Sequence, residues 1–231
     1  MSGDVVLELR DLQVSFGAGK HEVTVVHDVS LRVERGEIVG VVGESGSGKT
    51  LTAMAATDLL PSGARRAASA WAFDGTDLLG ADRNGRAAAL GGKLGVVFQD
   101  PMSSLNPARR VGSQLSDTSR FWGKRTRAQA HDDAVDRLRR VRIAAPERRV
   151  DDYPHEFSGG MRQRAMIAMG LMATPQLIVA DEPTTALDVT VQADVMTLLR
   201  ELNEEQGTAV LLVSHNIALV AEICHRVVVM Y

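Results

Sequence analysis

The chain has 231 residues, 45% hydrophobic and 24% charged, with a formal net charge of −3; this usage excludes disordered and collagen-like classes and suits one domain with internal subdivisions. Such a charge gives no general pull towards nucleic acid or anionic membrane, and the single cysteine, Cys224, excludes an internal disulfide or a cysteine-based metal site and fits a reducing compartment. The N-terminus, MSGDVVLELRD, carries acids where a secretory leader carries Lys or Arg, and no apolar run reaches the roughly 18 residues of a membrane span, so the chain itself is expected to be soluble.

Near the start, VVLELRDLQVSF and HEVTVVHDVSLRV alternate apolar with polar residues and are rich in Val, which predicts half-buried antiparallel strands. GEIVGVVG is a continuous apolar run of the kind a strand buried on both faces requires, and LTAMAATDLL behind it is helical in composition. Further short apolar runs at LGVVF, QLIVADEP, TAVLLVSH and HRVVVMY alternate with helix-like stretches and imply a parallel sheet. Between Asp100 and Phe157 the texture turns helical: Thr126 to Gln129 forms a capping box, followed by Ala130, Ala134, Leu138 and Val141 at helical spacing. The arginines at 137, 139, 140 and 142 alternate with Asp132, Asp133 and Asp136 and read as a solvated helix face.

GESGSGKT, from Gly43 to Thr50, fits G-x-x-x-x-G-K-[ST] between a predicted strand and a predicted helix. The glycines at 43, 46 and 48 let backbone N–H groups curl round an anion without Cβ clashes at the positive end of a helix, so Gly43, Ser45, Gly46, Ser47 and Gly48 are the expected phosphate-binding positions. Lys49 is then expected to reach the β- and γ-phosphates of a nucleotide and the Thr50 hydroxyl to bind Mg²⁺. LIVADEP puts Asp181 at the end of a buried strand, where a carboxylate can hold Mg²⁺ through its water shell, with Glu182 next to it as acceptor for a proton from an attacking water. Gln99 follows LGVVF and His215 follows LLVS. Each reads equally well as an ordinary strand-end residue or as a group near the γ-phosphate, Gln99 completing the Mg²⁺ shell. The fold expected is α/β, a phosphate-loop NTPase core with a mainly parallel sheet, an N-terminal antiparallel β subdomain and a helical insertion.

FSGGMRQR, from Phe157 to Arg164, has no acid, histidine or thiol, so it cannot do acid–base or nucleophilic chemistry alone. In order, GESGSGKT, Gln99, FSGGMRQR, LIVADEP, TALD and SH resemble the nucleotide-binding subunits of ATP-binding cassette (ABC) transporters over almost the whole chain. The resemblance implies that FSGGMRQR is the signature motif, whose Ser158, Gly159 and Gly160 close over ATP held by the phosphate loop of a second such domain. It implies further that Phe16 stacks on adenine and that Asp188 belongs to the loop linking the two ATP sites. VVGESGSGKT, VFQDPMSSLNP, EFSGGMRQRAMIAMGL and ADEPTTALDVTVQ resemble in particular the ATPase subunits of importers of oligopeptides, dipeptides, nickel or related solutes. Phe157 stands where the family more often has Leu.

By this likeness the chain is one ABC domain, with residues 1–98 and 167–231 forming the β subdomain and phosphate-loop core and 99–166 the helical subdomain. Its cofactors are ATP and Mg²⁺. Its partners are a second ABC domain, transmembrane permease subunits and, indirectly, an extracytoplasmic solute-binding protein, with no nucleic acid, at the cytoplasmic face of the membrane. Glu182 would polarise the water, with Lys49, Ser158, His215 and Gln99 around the phosphoryl group. A soluble ABC ATPase acting on ribosome or DNA is the alternative; it would need two such domains or a long coiled-coil insertion, and neither is visible. Subunits of the importer subgroup usually continue past the strand that ends at Tyr231.

Overall fold

The structure, a computed structural model, describes residues 4–100, 104–184 and 189–231. The chain divides into two units, Met1–Gly91 with Leu202–Tyr231, and Gly92–Glu201.

The first unit opens with β1 (Val5–Phe16) and β2 (Val23–Glu34), paired antiparallel as their alternation predicts. Leu7, Leu9, Leu12 and Val14 are almost fully buried on β1, opposite Val26, Leu31 and Val33 of β2; each such side chain contributes about 1.5–3 kcal/mol by leaving water. Three short strands complete this sheet: β4 (Ala64–Ala67) and β5 (Ala70–Phe73) both pair with β1, and β6 (Thr76–Asp77) pairs with β5. The sequence pattern did not foretell them, because ARRA and AWAF are too short to establish a period of two. The same unit holds three parallel strands, β3 (Ile38–Gly43) between β9 (Ala209–Val213) and β10 (Arg226–Met230). β3 is buried up to its final glycine and β9 along its whole length, the signature of a strand covered on both faces.

Helix α1 (Lys49–Ala56) follows β3, α2 (Arg83–Leu90) follows the antiparallel sheet, and α8 (Ile217–Ile223) lies between β9 and β10. The last turn of α1 would leave carbonyls unsatisfied. Three side chains answer them: Thr57 Oγ1 donates to Ala53 O (3.0 Å), Arg66 Nη1 to Ala55 O (2.7 Å), and the indole of buried Trp71 to Ala56 O (3.2 Å). The Arg66 guanidinium lies 3.3 Å from the centre of the Trp71 ring and pairs with Asp58, and burial lowers its pKa from the ordinary arginine value. The short strands β4 and β5 therefore hold the far end of the helix that starts at the phosphate loop.

The second unit pairs β7 (Leu94–Val97) with β8 (Leu177–Asp181) in parallel. Its helices are α3 (Val111–Phe121), α4 (Arg127–Arg140), α5 (Pro146–Arg149), α6 (Gly159–Leu171) and α7 (Val189–Gln206), the last running on into the first unit at Leu202. The capping box at α4 forms as expected: Gln129 N–H donates to Thr126 Oγ1 and Thr126 N–H to Gln129 Oε1. Ala130, Ala134, Leu138 and Val141 are all fully buried. The arginines that follow are mostly ion-paired or hydrogen-bonded, with Arg139 meeting Asp136 and Glu147, Arg142 meeting Glu201, and Arg137 donating to Thr174 Oγ1.

Helix α6 lies directly on β7. A Cβ built at Gly95 would sit 2.4 Å from Gly170 O, so the strand and helix approach as closely as they do because residue 95 has no side chain. Gly95→Val is expected to force them apart and lower stability by about 1–3 kcal/mol, the usual cost of overpacking. Urea denaturation followed by tryptophan fluorescence checks this as a lower midpoint at unchanged slope.

Candidate phosphate loop, acid pair and signature turn

In the first unit β3 delivers the chain into a loop whose shape excludes side chains. Gly46 has φ +89° and Gly48, the N-cap of α1, φ +91°, a region that L-residues with a Cβ enter at a cost. A Cβ on Gly43 would lie 2.1 Å from Met230 O on the neighbouring β10. Lys49, 6% exposed, folds back so that Nζ donates to Gly43 O (2.9 Å) and Glu44 O (2.7 Å). The loop is thus closed round its own lysine, with Ser45 and Gly46 exposed, Ser47, Gly48 and Thr50 half-buried, and the first amides of α1 behind it. A turn of backbone N–H groups leading into a helix N-terminus suits an anion.

Two further predicted residues belong to this unit. Phe16 is the half-buried last residue of β1, paired in register with Val23 and Ala64. His215 is exposed, just past β9 and before Asn216, whose side chain accepts from the N–H groups of Ala218 and Leu219 to cap α8.

In the second unit the parallel register sets Val97 opposite Ala180, so the residues two places further on, Gln99 and Glu182, emerge at the same level. They meet: Gln99 Nε2 donates to Glu182 Oε2 at 3.1 Å. Asp181 closes the buried strand at 7% exposure, and Glu182 then takes φ +46°, the left-handed region, which costs a non-glycine residue of order 1 kcal/mol or more and clusters at functional sites.

The FSGGMRQR segment begins α6. Phe157 is buried, anchoring the turn, while Ser158 and Gly159 are exposed. Ser158 is the N-cap, its Oγ accepting from Met161 N–H at 3.3 Å, which leaves its own hydroxyl proton to donate. A Cβ built on Gly159 meets nothing within 4 Å, and one on Gly160 would lie 3.1 Å from Val191 Cγ1 of α7. Upstream, Arg162 Nε donates to Pro154 O at 2.8 Å. Asp188 lies outside the described residues.

The residue-by-residue reading missed interactions that brace the second unit. Arg164 Nη2 donates to Asp194 at 2.5 Å, and Gln114, 8% exposed, gathers Asn106 N–H, Asn106 O and Arg109 O round one amide. Neither has a sequence signal beyond helical spacing, because the partners lie on different elements.

Comparison with known proteins bears on the same segments. A family model described as ABC transporter matches residues 26–185. An oligopeptide transport ATP-binding protein of Salmonella typhimurium is 46% identical over 228 residues, covering 99% of this chain and 68% of that protein. A dipeptide transport ATP-binding protein of Haemophilus influenzae is 42% identical over 226 residues, covering 98% and 68%. Among solved structures, a dimeric ATP-binding cassette in a post-hydrolysis state with ADP and Pi superposes with TM-score 0.83 at 26% identity, over 97% of this chain and 94% of that one. The fold is therefore that of ABC cassettes, as expected from the motifs. With the family model spanning most of its length and relatives sharing more than four residues in ten, the chain belongs to the ABC transporter family.

Proposed function

We propose that this chain is the ATP-hydrolysing subunit of an importer, driving uptake of peptides or a related small solute through a membrane-embedded permease and working with a second ABC domain. The observation that carries the reading is the Gln99–Glu182 hydrogen bond at the level ends of β7 and β8. A carboxylate fixed by its backbone and by a neighbouring amide is oriented, and orientation is what a general base for an attacking water requires. The names of the relatives, oligopeptide and dipeptide transport ATP-binding proteins, support the solute class.

ATP binds with its phosphates on the amides from Gly43 to Thr50 and its adenine against Phe16. Lys49 has three N–H donors, two of them on loop carbonyls, so one remains for a phosphate oxygen without opening the loop. Glu182 takes a proton from the water, while Lys49, His215 and, from the second domain, Ser158 stabilise charge on the phosphoryl group. Gly159 and Gly160 let the N-terminus of α6 approach that nucleotide, and Asp188 belongs to the contact between the two ATP sites.

The Thr50 hydroxyl, the Asp181 carboxylate and the Gln99 carbonyl oxygen, its amide nitrogen being engaged with Glu182, are hard donors of the kind Mg²⁺ takes beside phosphates and water. Among the described residues no group of three His, Cys, Asp or Glu forms a metal cage. An Mg²⁺ ion held by Thr50, Asp181 and Gln99 would neutralise phosphate charge. No helix of the described residues is long and apolar enough to cross a membrane; in this reading the permease carries the membrane contact, at the cytoplasmic face, and an extracytoplasmic binding protein delivers the solute. The domain assignment follows the same reading, with 1–98 and 167–231 as core and 99–166 as the helical subdomain.

Glu182→Gln is expected to retain ATP binding and lose about 10²-fold or more in turnover, the usual contribution of a positioned base. Steady-state hydrolysis by the assembled complex checks it, and wild-type rates would remove Glu182 from the role.

The composite geometry has its own test in Gly159→Asp. Because a Cβ at this position meets no described residue beyond its own helix, the substitution leaves local packing intact and adds a negative charge to the exposed end of the turn. Like charges facing each other across a partly desolvated interface cost several kcal/mol, so this variant should bind ATP and fail to turn it over. Lys49→Ala should instead weaken nucleotide binding. Where two copies pair, mixing the variants gives dimers with one doubly damaged site and one intact site, and partial activity returns. Loss of ATP affinity in Gly159→Asp alone would place the turn beside its own phosphate loop and overturn the arrangement.

A further inference from the structure

Helices α6 and α7 of the second unit meet along one stripe. Gly160, at the start of α6, faces Val191 of α7 with room for a Cβ only 3.1 Å away. One turn further along each helix, Arg164 Nη2 pairs with Asp194 Oδ2 at 2.5 Å, the arginine side chain 18% and the aspartate 43% exposed. The other arm of Arg164 donates to Arg142 O at 3.1 Å, and Arg142 in turn reaches Glu201 of α7 at 2.6 Å. Residues 191, 194, 198 and 201 recur at helical spacing and share one face of α7. Leu198 is buried between the two polar contacts. The face thus carries a small-residue contact, an ion pair, a buried leucine and a second ion pair.

We infer that Arg164 and Asp194 are positioning residues that lock the Ser158–Gly160 turn to the helix following the Asp181–Glu182 acids. The argument is geometric. Ser158 and Gly159 are exposed, and a Cβ on Gly159 would meet no described residue beyond its own helix, so the turn is placed by buried Phe157 before it and by the helix it caps. An arginine fork gripping a carboxylate and a carbonyl on two different elements fixes both the rotation and the axial position of α6. With α6 held to α7, movement of the turn towards a nucleotide on another domain carries α7 with it. Loss of the grip lets α6 slide or roll, and about 1 Å of misplacement at a reacting group is worth up to about 10²-fold in rate. This inference rests on the proposed role of the turn in closing over ATP.

The test uses the full-length chain in its transporter complex, with Arg164→Ala, Asp194→Ala, the double variant, and the exchanged pair Arg164→Asp with Asp194→Arg. Binding of a fluorescent ATP analogue should stay within about twofold of wild type, since neither residue belongs to the phosphate loop. The kcat of each single variant should fall about tenfold, the double variant should fall no further, and the exchanged pair should regain part of the loss, the signature of coupled partners. Amide hydrogen exchange across Ser158–Arg162 should quicken in both single variants. Variants that lower the thermal midpoint but keep kcat per folded molecule would make the pair a stabiliser only and overturn the inference; additive losses in the double variant would do the same. Should an alanine variant not fold, Arg164→Lys and Asp194→Asn replace it, and unchanged kcat in both is the overturning result. If the wild type itself hydrolyses no ATP, the proposed function fails, and unchanged exchange across the turn in Arg164→Ala then separately overturns the positioning role.

Discussion

Burial of strands on both faces governs where chemistry can sit in this chain. β8 and β9 have no exposed residue, and β3 only begins to emerge at its last glycine. Nothing polar is tolerated along such a strand without a partner, since an unpaired polar group away from water costs several kcal/mol. Polar residues therefore collect where each strand leaves the sheet. Gly43 ends β3 and opens the phosphate loop, Asp181 ends β8 with Glu182 next, Gln99 lies just past β7, and Ser214 and His215 follow β9. The same rule that makes the strands legible as apolar runs puts the candidate site residues at their C-terminal ends.

A second constraint is steric. The phosphate loop needs backbone where side chains would be, and the structure shows which positions are intolerant: Gly43 against the carbonyl of Met230, and Gly48 at φ +91° with a Cβ only 2.9 Å from Val26. Lys49 completes the loop by placing two of its donors on loop carbonyls, so in the proposed function the loop needs no further ordering to take phosphates. This matters because ordering the loop on binding would subtract from affinity. The far end of α1 is held with equal care, by Thr57, Arg66 and Trp71.

In the second unit, precision comes from register. Parallel pairing of Val97 with Ala180 decides that Gln99 and Glu182 emerge together, and a shift of one residue would separate them and turn each side chain to the other face. The signature turn depends on helix packing of the same exactness: Gly95 admits α6 to the sheet, Gly160 admits α7 to α6, and Arg164 grips what the glycines bring close.

The sequence by itself determined the strand runs, the phosphate loop, the capping box at Thr126 and the identity of the groups at the strand ends, because each rests on a local pattern of period, glycine placement or spacing. It left Gln99 and His215 ambiguous, since one polar residue after an apolar run has no local signal of function. Only the tertiary structure decided that Gln99 reaches Glu182, that Glu182 adopts a left-handed backbone, that ARRA and AWAF are strands, and that Arg164 meets Asp194. Those facts depend on pairing between residues tens of positions apart, where sheet register and helix contact, not local propensity, set the distance.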